Sequence, residues 1–253
     1  MSNPFNILGR KSGVLNVVDI LKLPQLLKAL GYAPEGTVLQ TYETEIEAIE
    51  AGLGYGAPYI DASGQLQVVS KVKQVLNFET GSNNYVNYFC IAVEQDSYDI
   101  EDIFADPIAN ISFTIQGSND SGSLVSFDPS VISFPGLNSL TALELGRGYK
   151  VVTTTPFTLT LYGAPIDRDL RRALPNANVN YVGYYGGFGE NVSVETVFAD
   201  LIGAGKVDAI TRGTLSYGTD TILLSTGDAV NINTNATATQ VGTTDPVARN
   251  TSI

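Results

Sequence analysis

The chain has 253 residues, of which 43% are apolar and only 16% charged, below the usual charged share of about 25%. Its 14 basic and 26 acidic side chains leave a net charge of −12, which repels phosphate backbones and anionic lipid and argues against nucleic-acid or membrane-surface binding. Histidine and tryptophan are missing and Cys90 is the only cysteine, which excludes histidine-based triads and zinc sites, an intrachain disulfide and a tryptophan sugar platform.

At the amino terminus Arg10 and Lys11 follow a short apolar stretch, without the continuous apolar core of a signal peptide. No window reaches the ~18 uninterrupted apolar residues of a membrane span. The run Val14–Leu21 reads as a strand or as a helix ending before Pro24. Leu23, Leu26, Leu27 and Leu30 then share one helix face, with Gly31 as the stop. So short a helix is marginal alone in water, so these leucines are expected to dock on a partner subunit. A second helix is expected from Thr44 to Gly52, with Thr44 and Glu47 forming a capping box. Tyr59–Ile60 and Leu66–Val69 flank the turn residues Asp61–Gly64 and predict a hairpin. Residues 1–84 are therefore read as a small α+β docking region.

The stretch Glu45–Val69 resembles a segment of tailed-phage structural proteins, in which an "EAxAAGL" helix leads through a "GxxY" strand and a tight turn to a "GxLxxV" strand. That resemblance implies a virion protein made in the host cytoplasm.

The strongest internal signal is a duplication. Asp99–Asp106 (DIEDIFAD) lines up with Ser193–Asp200 (SVETVFAD). Asn87–Tyr88 answers Asn180–Tyr181, and Ile115–Gly117 answers Thr211–Gly213. Offsets of 93 to 96 residues make this a repeated module rather than a short-period solenoid. Each copy predicts a strand (Tyr88–Val93; Val179–Tyr184), a capped short helix, and a second strand (Ile111–Ile115; Val207–Thr211). Gly146 and Gly148 supply a tight turn, and the Thr-rich run Val151–Leu161 reads as strands broken at Pro156. The sequence Leu140–Val152, followed by Phe157–Pro165, is similar to the "LEPGKGYW" part of a β-rich "WNLIG…LEPGKGYW" repeat of microbial surface proteins. Both of that pattern's tryptophans are absent here. The resemblance implies a β-sandwich-like structural module and transfers no catalytic residue. The expected modules span 85–166 and, as a partial copy, 167–213. Residues 214–253 contain ten threonines and few large apolar groups after Leu224. They are read as a disordered tail or an extended arm ordered against other subunits, the second reading being adopted.

Candidate chemistry is sparse. The acidic run from Glu94 to Asp106 offers Asp96, Asp99 and Asp102 as calcium candidates or, less in keeping with the pattern, carboxylates for glycan hydrolysis. Its bland explanation is helix capping by Asp99, with Glu101 and Asp102 at the helix's positive end. The loop Ser118–Ser123 reads as a turn. The glycine-rich Gly183–Gly189 lacks a phosphate-loop pattern and reads first as a strand end with a wide turn, while its Tyr184, Tyr185 and Phe188 are also candidate contact residues for subunits or a host glycan. Asp167–Arg172 is a mixed-charge knot suited to intersubunit pairs. Cys90, in an apolar strand without basic neighbours, is expected to be an inert core thiol.

The expected fold is α+β, mainly β: the docking region followed by duplicated β-sandwich-like modules with one short helix each. The expected function is that of a non-enzymatic tailed-phage virion component, a capsid decoration or fibre protein. Its partners would be copies of itself, as a trimer or higher, and other virion proteins, with no nucleic acid, membrane, metal or cofactor. The alternatives are a tail or baseplate receptor-binding fibre recognising a host surface glycan, a calcium-dependent glycan hydrolase, and a cell-surface structural protein.

Overall fold

The computed structural model describes residues 39–80, 87–119, 121–134, 136–166, 171–174, 180–186, 191–234 and 238–241. The helix proposed around Leu23, Leu26, Leu27 and Leu30 lies outside them. The chain divides into two compact units, 1–72 and 73–253, so the boundary falls before the one expected near residue 84.

In the first unit β1 (Thr41–Tyr42) lies parallel to β2 (Pro58–Asp61), which turns back antiparallel onto β3 (Leu66–Val68). Between them runs α1 (Glu45–Glu50). Its start follows the capping logic of the sequence: Thr44 Oγ1 accepts from the Glu47 amide, and Glu47 Oε2 accepts from the Glu43 amide. Ala48, Tyr59 and Val69 form the small core, with Tyr42, Ile49, Leu53 and Ala57 against it. Glu45 fastens the helix to the end of the hairpin, its Oε1 accepting from the Ser70 and Lys71 amides. Gly64, at φ +80, closes the expected turn around Asp61.

The second unit holds two modules. The first comprises β4 (Val72–Phe78), β5 (Asn87–Cys90), α2 (Ile100–Ile103), α3 (Ala105–Asn110), β6 (Phe113–Ser118), β7 (Leu124–Phe127), β8 (Gly148–Thr153) and β9 (Phe157–Gly163). The second comprises β10 (Arg171–Leu174), β11 (Asn180–Gly183), β12 (Val192–Ser193), α4 (Val194–Val197), α5 (Ala199–Gly203), β13 (Val207–Arg212), β14 (Leu215–Ser216), β15 (Leu223–Leu224), β16 (Ala229–Thr234) and β17 (Ala238–Val241). The modules share one plan. The four-stranded sheet β5-β8-β6-β7 has its counterpart in β11-β16-β13-β14, and the pair β4-β9 in β10-β17.

Register proves the correspondence. Asn87↔Val151 through Cys90↔Gly148 in the first sheet become Asn180↔Ile232 through Gly183↔Ala229 in the second, 93 residues on along one strand and 81 along the other. The helices also agree. Each expected single helix is a pair of short helical segments broken at a phenylalanine, Phe104 (φ −106, ψ 24) or Phe198 (φ −109, ψ 20). Leaving the helical dihedrals there turns the ring inward, and both rings are buried. The first residue of each pair donates its amide across to the returning chain, Ile100 to Thr141 O and Val194 to Ile222 O, both at 3.0 Å.

Two sequence expectations are corrected here. The second module is complete rather than partial, and the 214–253 arm is folded into it as far as it is described, with β16 between β11 and β13. Val230 and Ile232 are fully buried there. Alternation with small polar residues needs only these inward side chains when neighbours flank both edges. The alignment of Ile115 with Thr211 also shifts by one. A bulge between Val207 and Ala209 inserts a residue, so that Ile210 pairs with Ile232 as Ile115 pairs with Val151.

The first module's core is aromatic. Phe78, Phe89, Phe104, Phe113 and Phe157 lie with ring centroids 4.6–6.3 Å apart in adjoining pairs, and Tyr149 and Phe127 extend the cluster. The second module fills the same space mostly with aliphatics, among them Val182, Val194, Ile210 and Val230 around Phe198.

Candidate functional site

The modules meet about a local pseudo-twofold relation, and this junction takes up Cys90, Gly148 and Tyr185 of the residues the sequence singled out. Phe89 of β5 bridges to Asp228, while its counterpart Val182 of β11 bridges to Arg147, the counterpart of Asp228. Tyr88 and Tyr181, another equivalent pair, place their rings 6.1 Å apart. Burial pushes both phenols above their ordinary pKa, and for Tyr181 the neighbouring Tyr88 adds to it. Cys90 and Gly183 also face each other: a Cβ on Gly183 would lie 2.4 Å from Cys90 Cβ. At Gly148 an added Cβ would come within 2.5 Å of the Val182 nitrogen. Gly146 is the turn residue expected from sequence, at φ +73, but Gly148 is a site of close backbone approach.

Tyr184 and Tyr185 are 3% and 1% exposed, which corrects their reading as a contact surface. Tyr184 belongs to the second module's core, and its carbonyl accepts from the Gly227 amide. Tyr185 packs with Cys90, Ala92 and Ile166 of the first module, and Leu145 lies against them. Phe188 lies outside the described residues. Cys90 is fully buried, its thiol directed at Tyr184 O at 3.3 Å.

The calcium reading of Asp96, Asp99 and Asp102 is not supported by their placement. All three are exposed, and no group of three or more acidic, histidine or cysteine side chains among the described residues converges as a metal site. Asp96, Asp102 and Asp106 line a depression of about 580 Å³ beside Thr158–Leu161 without converging. Asp99 precedes α2 but makes no side-chain cap, whereas its counterpart Ser193 accepts from the Thr196 amide. Ser97 Oγ instead donates to Asp102. The Ser118–Ser123 loop is the expected turn, with Asn119 Oδ1 accepting from the Ser121 and Ser123 amides.

The concave feature that sequence reasoning missed is a cleft of about 690 Å³ in the second unit. Its walls are β4, the start of β5, the β13–β14 turn and the Ser225–Asp228 turn. At its edge Arg212 Nη2 meets Asp228 Oδ1 at 2.7 Å, and Arg212 Nη1 donates to Leu223 O at 2.9 Å. Asp228 Oδ2 accepts from the Ser225 amide at 2.8 Å. Burial raises the Asp228 carboxyl above its ordinary pKa despite the opposing pull of Arg212. The one local signal was the Ser225–Asp228 turn composition. Nothing in the sequence placed Arg212 opposite it, because the pairing depends on the bulge and on β16 lying beside β13.

Comparison with protein-family models, curated proteins and solved structures finds no match for this chain.

Proposed function

We propose that this protein is a non-enzymatic structural component of a tailed-phage virion, a capsid decoration or fibre protein that works by assembling with copies of itself, as a trimer or higher, and with other virion proteins. One observation carries the reading. The chain devotes most of its described length to two topologically equal modules, and its conspicuous side chains are consumed in packing, Cys90 and Tyr185 between the modules and Tyr184 in the core of the second. Such a body is a rigid spacer with a large outer surface. Leu124, Phe134 and Leu137, on and just after β7, are each at least 61% exposed, and apolar groups so placed suit burial by a neighbouring subunit. The similarity of Glu45–Val69 to phage structural proteins, and of Leu140–Pro165 to a surface-protein repeat, supports the same role. The −12 charge would keep an assembled particle soluble.

Sedimentation of the full chain tests this reading. A trimer or larger species is expected, and Phe134→Asp with Leu137→Asp should shift it toward monomer without lowering the melting temperature. A stable monomer that binds no virion subunit would overturn the proposal.

A further inference from the structure

We propose that the cleft between β4 and the β13–β14 turn is a binding site for a neutral oligosaccharide, gripped through vicinal hydroxyls by the Arg212–Asp228 pair. This goes beyond the structural role above and does not depend on it.

The volume, about 690 Å³, lies within the ~300–1,000 Å³ range of small-molecule sites. The lining divides by chemistry. Val75, Leu215 and the half-buried Tyr88 offer apolar and aromatic surface to the C–H faces of a sugar ring, and Thr214 and Thr226 add hydroxyls. Arg212 and Asp228 keep 32% and 23% of their side-chain surface accessible, so the pair is fixed yet reachable. A guanidinium has more N–H donors, and a carboxylate more lone pairs, than their present contacts consume. A donor and an acceptor held side by side match adjacent hydroxyls, each of which can both give and accept a hydrogen bond. The two charges cancel, so the pair selects neither an anion nor a cation. The excess acidity of the chain disfavours phosphorylated or sulfated ligands further.

Comparison of the two modules shows that the fold itself does not require this pair. The position equivalent to Arg212 is Gly117, given the register of Ile115 and Ile210 with their partners on β8 and β16. The position equivalent to Asp228 is Arg147, which is 8% exposed and donates to Ser118 O. The same scaffold thus stands with a different and enclosed arrangement in one module. The other holds a partly buried carboxylate at an open cleft, and desolvating that group costs free energy.

The test is a panel of neutral, sialylated and sulfated oligosaccharides presented to the full-length protein, followed by titration calorimetry on whatever binds. A neutral oligosaccharide is expected to bind saturably. Thr214→Trp, which fills the cleft from an exposed turn, should weaken it at least tenfold with an unchanged melting temperature, and Asp228→Asn should also weaken it. Leu124→Trp, on β7, should leave binding intact. An empty panel, a preference for the anionic sugars, or binding indifferent to Thr214→Trp would overturn the proposal. So would loss of self-association in Thr214→Trp, which would make the cleft a seat for a second copy. Sedimentation of that variant reports separately on assembly, so failure of the sugar site and failure of the structural role are distinguishable.

Discussion

Asp61 organises the turn between β2 and β3 with partners that all lie within six positions of it. Asp61 accepts from Ser63, Gln65 and Gln67, and these bonds hold its carboxyl down at about 2. A lowered folded-state pKa means stabilisation that is present above the ordinary value of 3.8 and is lost as the pH falls toward about 2. Melting of the first unit should therefore weaken over that interval, and Asp61→Ala should flatten this dependence; an unchanged slope would contradict it. Asp228 carries the opposite sign. Its raised pKa favours the protonated folded state, so its contribution is present below 3.8 and is lost as the pH rises through the raised value. Asp228→Asn should remove that loss in a pH series of denaturant titrations. Tyr184 and Tyr185 were misread because their neighbours come from the end of β5 and the Gly227 turn, far away in sequence. Tyr184→Ala is expected to cost about 3 kcal/mol or more in unfolding free energy, as for other large buried aromatics, rather than to act as a surface change.

The elements follow from local pattern more faithfully than their junctions do. The hairpin of β2 and β3, the strands β5, β6, β8, β9, β11 and β13, and the break at Pro156 are legible from alternation and turn residues, whereas β4, β7, β10 and the strands after Leu215 are not. The helix breaks at Phe104 and Phe198 were not, since the ring leaves the helical path only because a core awaits it. Nor was the Val207–Ala209 bulge, which moves Ile210 and Arg212 by one register position. Glycine chemistry gives the sharpest test at this scale. Gly183→Ala and Gly148→Ala each put a methyl group where another strand already lies, and overpacking of this kind costs roughly 1–3 kcal/mol or more. Gly203→Ala, in α5 with nothing within 4 Å of the new Cβ, should be neutral or gain up to about 1 kcal/mol. Equal effects in thermal unfolding at Gly183 and Gly203 would contradict the close approach of β5 and β11.

At the scale of the whole molecule, the repeat was visible in the sequence but its extent was not. Charge and composition made residues 214–253 look too polar to fold. Central placement of β16 lets Val230 and Ile232 suffice, a circumstance that composition cannot reveal. The mainly β class was legible from strand-period patterning and the scarcity of long helical patterns, whereas the cleft was not, because it depends on four separate stretches of chain meeting. Two modules packed at a shared junction, with Phe134 and Leu137 exposed after β7, are what supports the assembly role proposed above. The most direct measurement is electron microscopy of intact tailed-phage particles with the protein tagged by a bound antibody fragment. Label at regular, symmetry-related positions on the particle surface is the predicted result. Label absent from purified particles while the protein accumulates free in the infected cell would contradict the virion role.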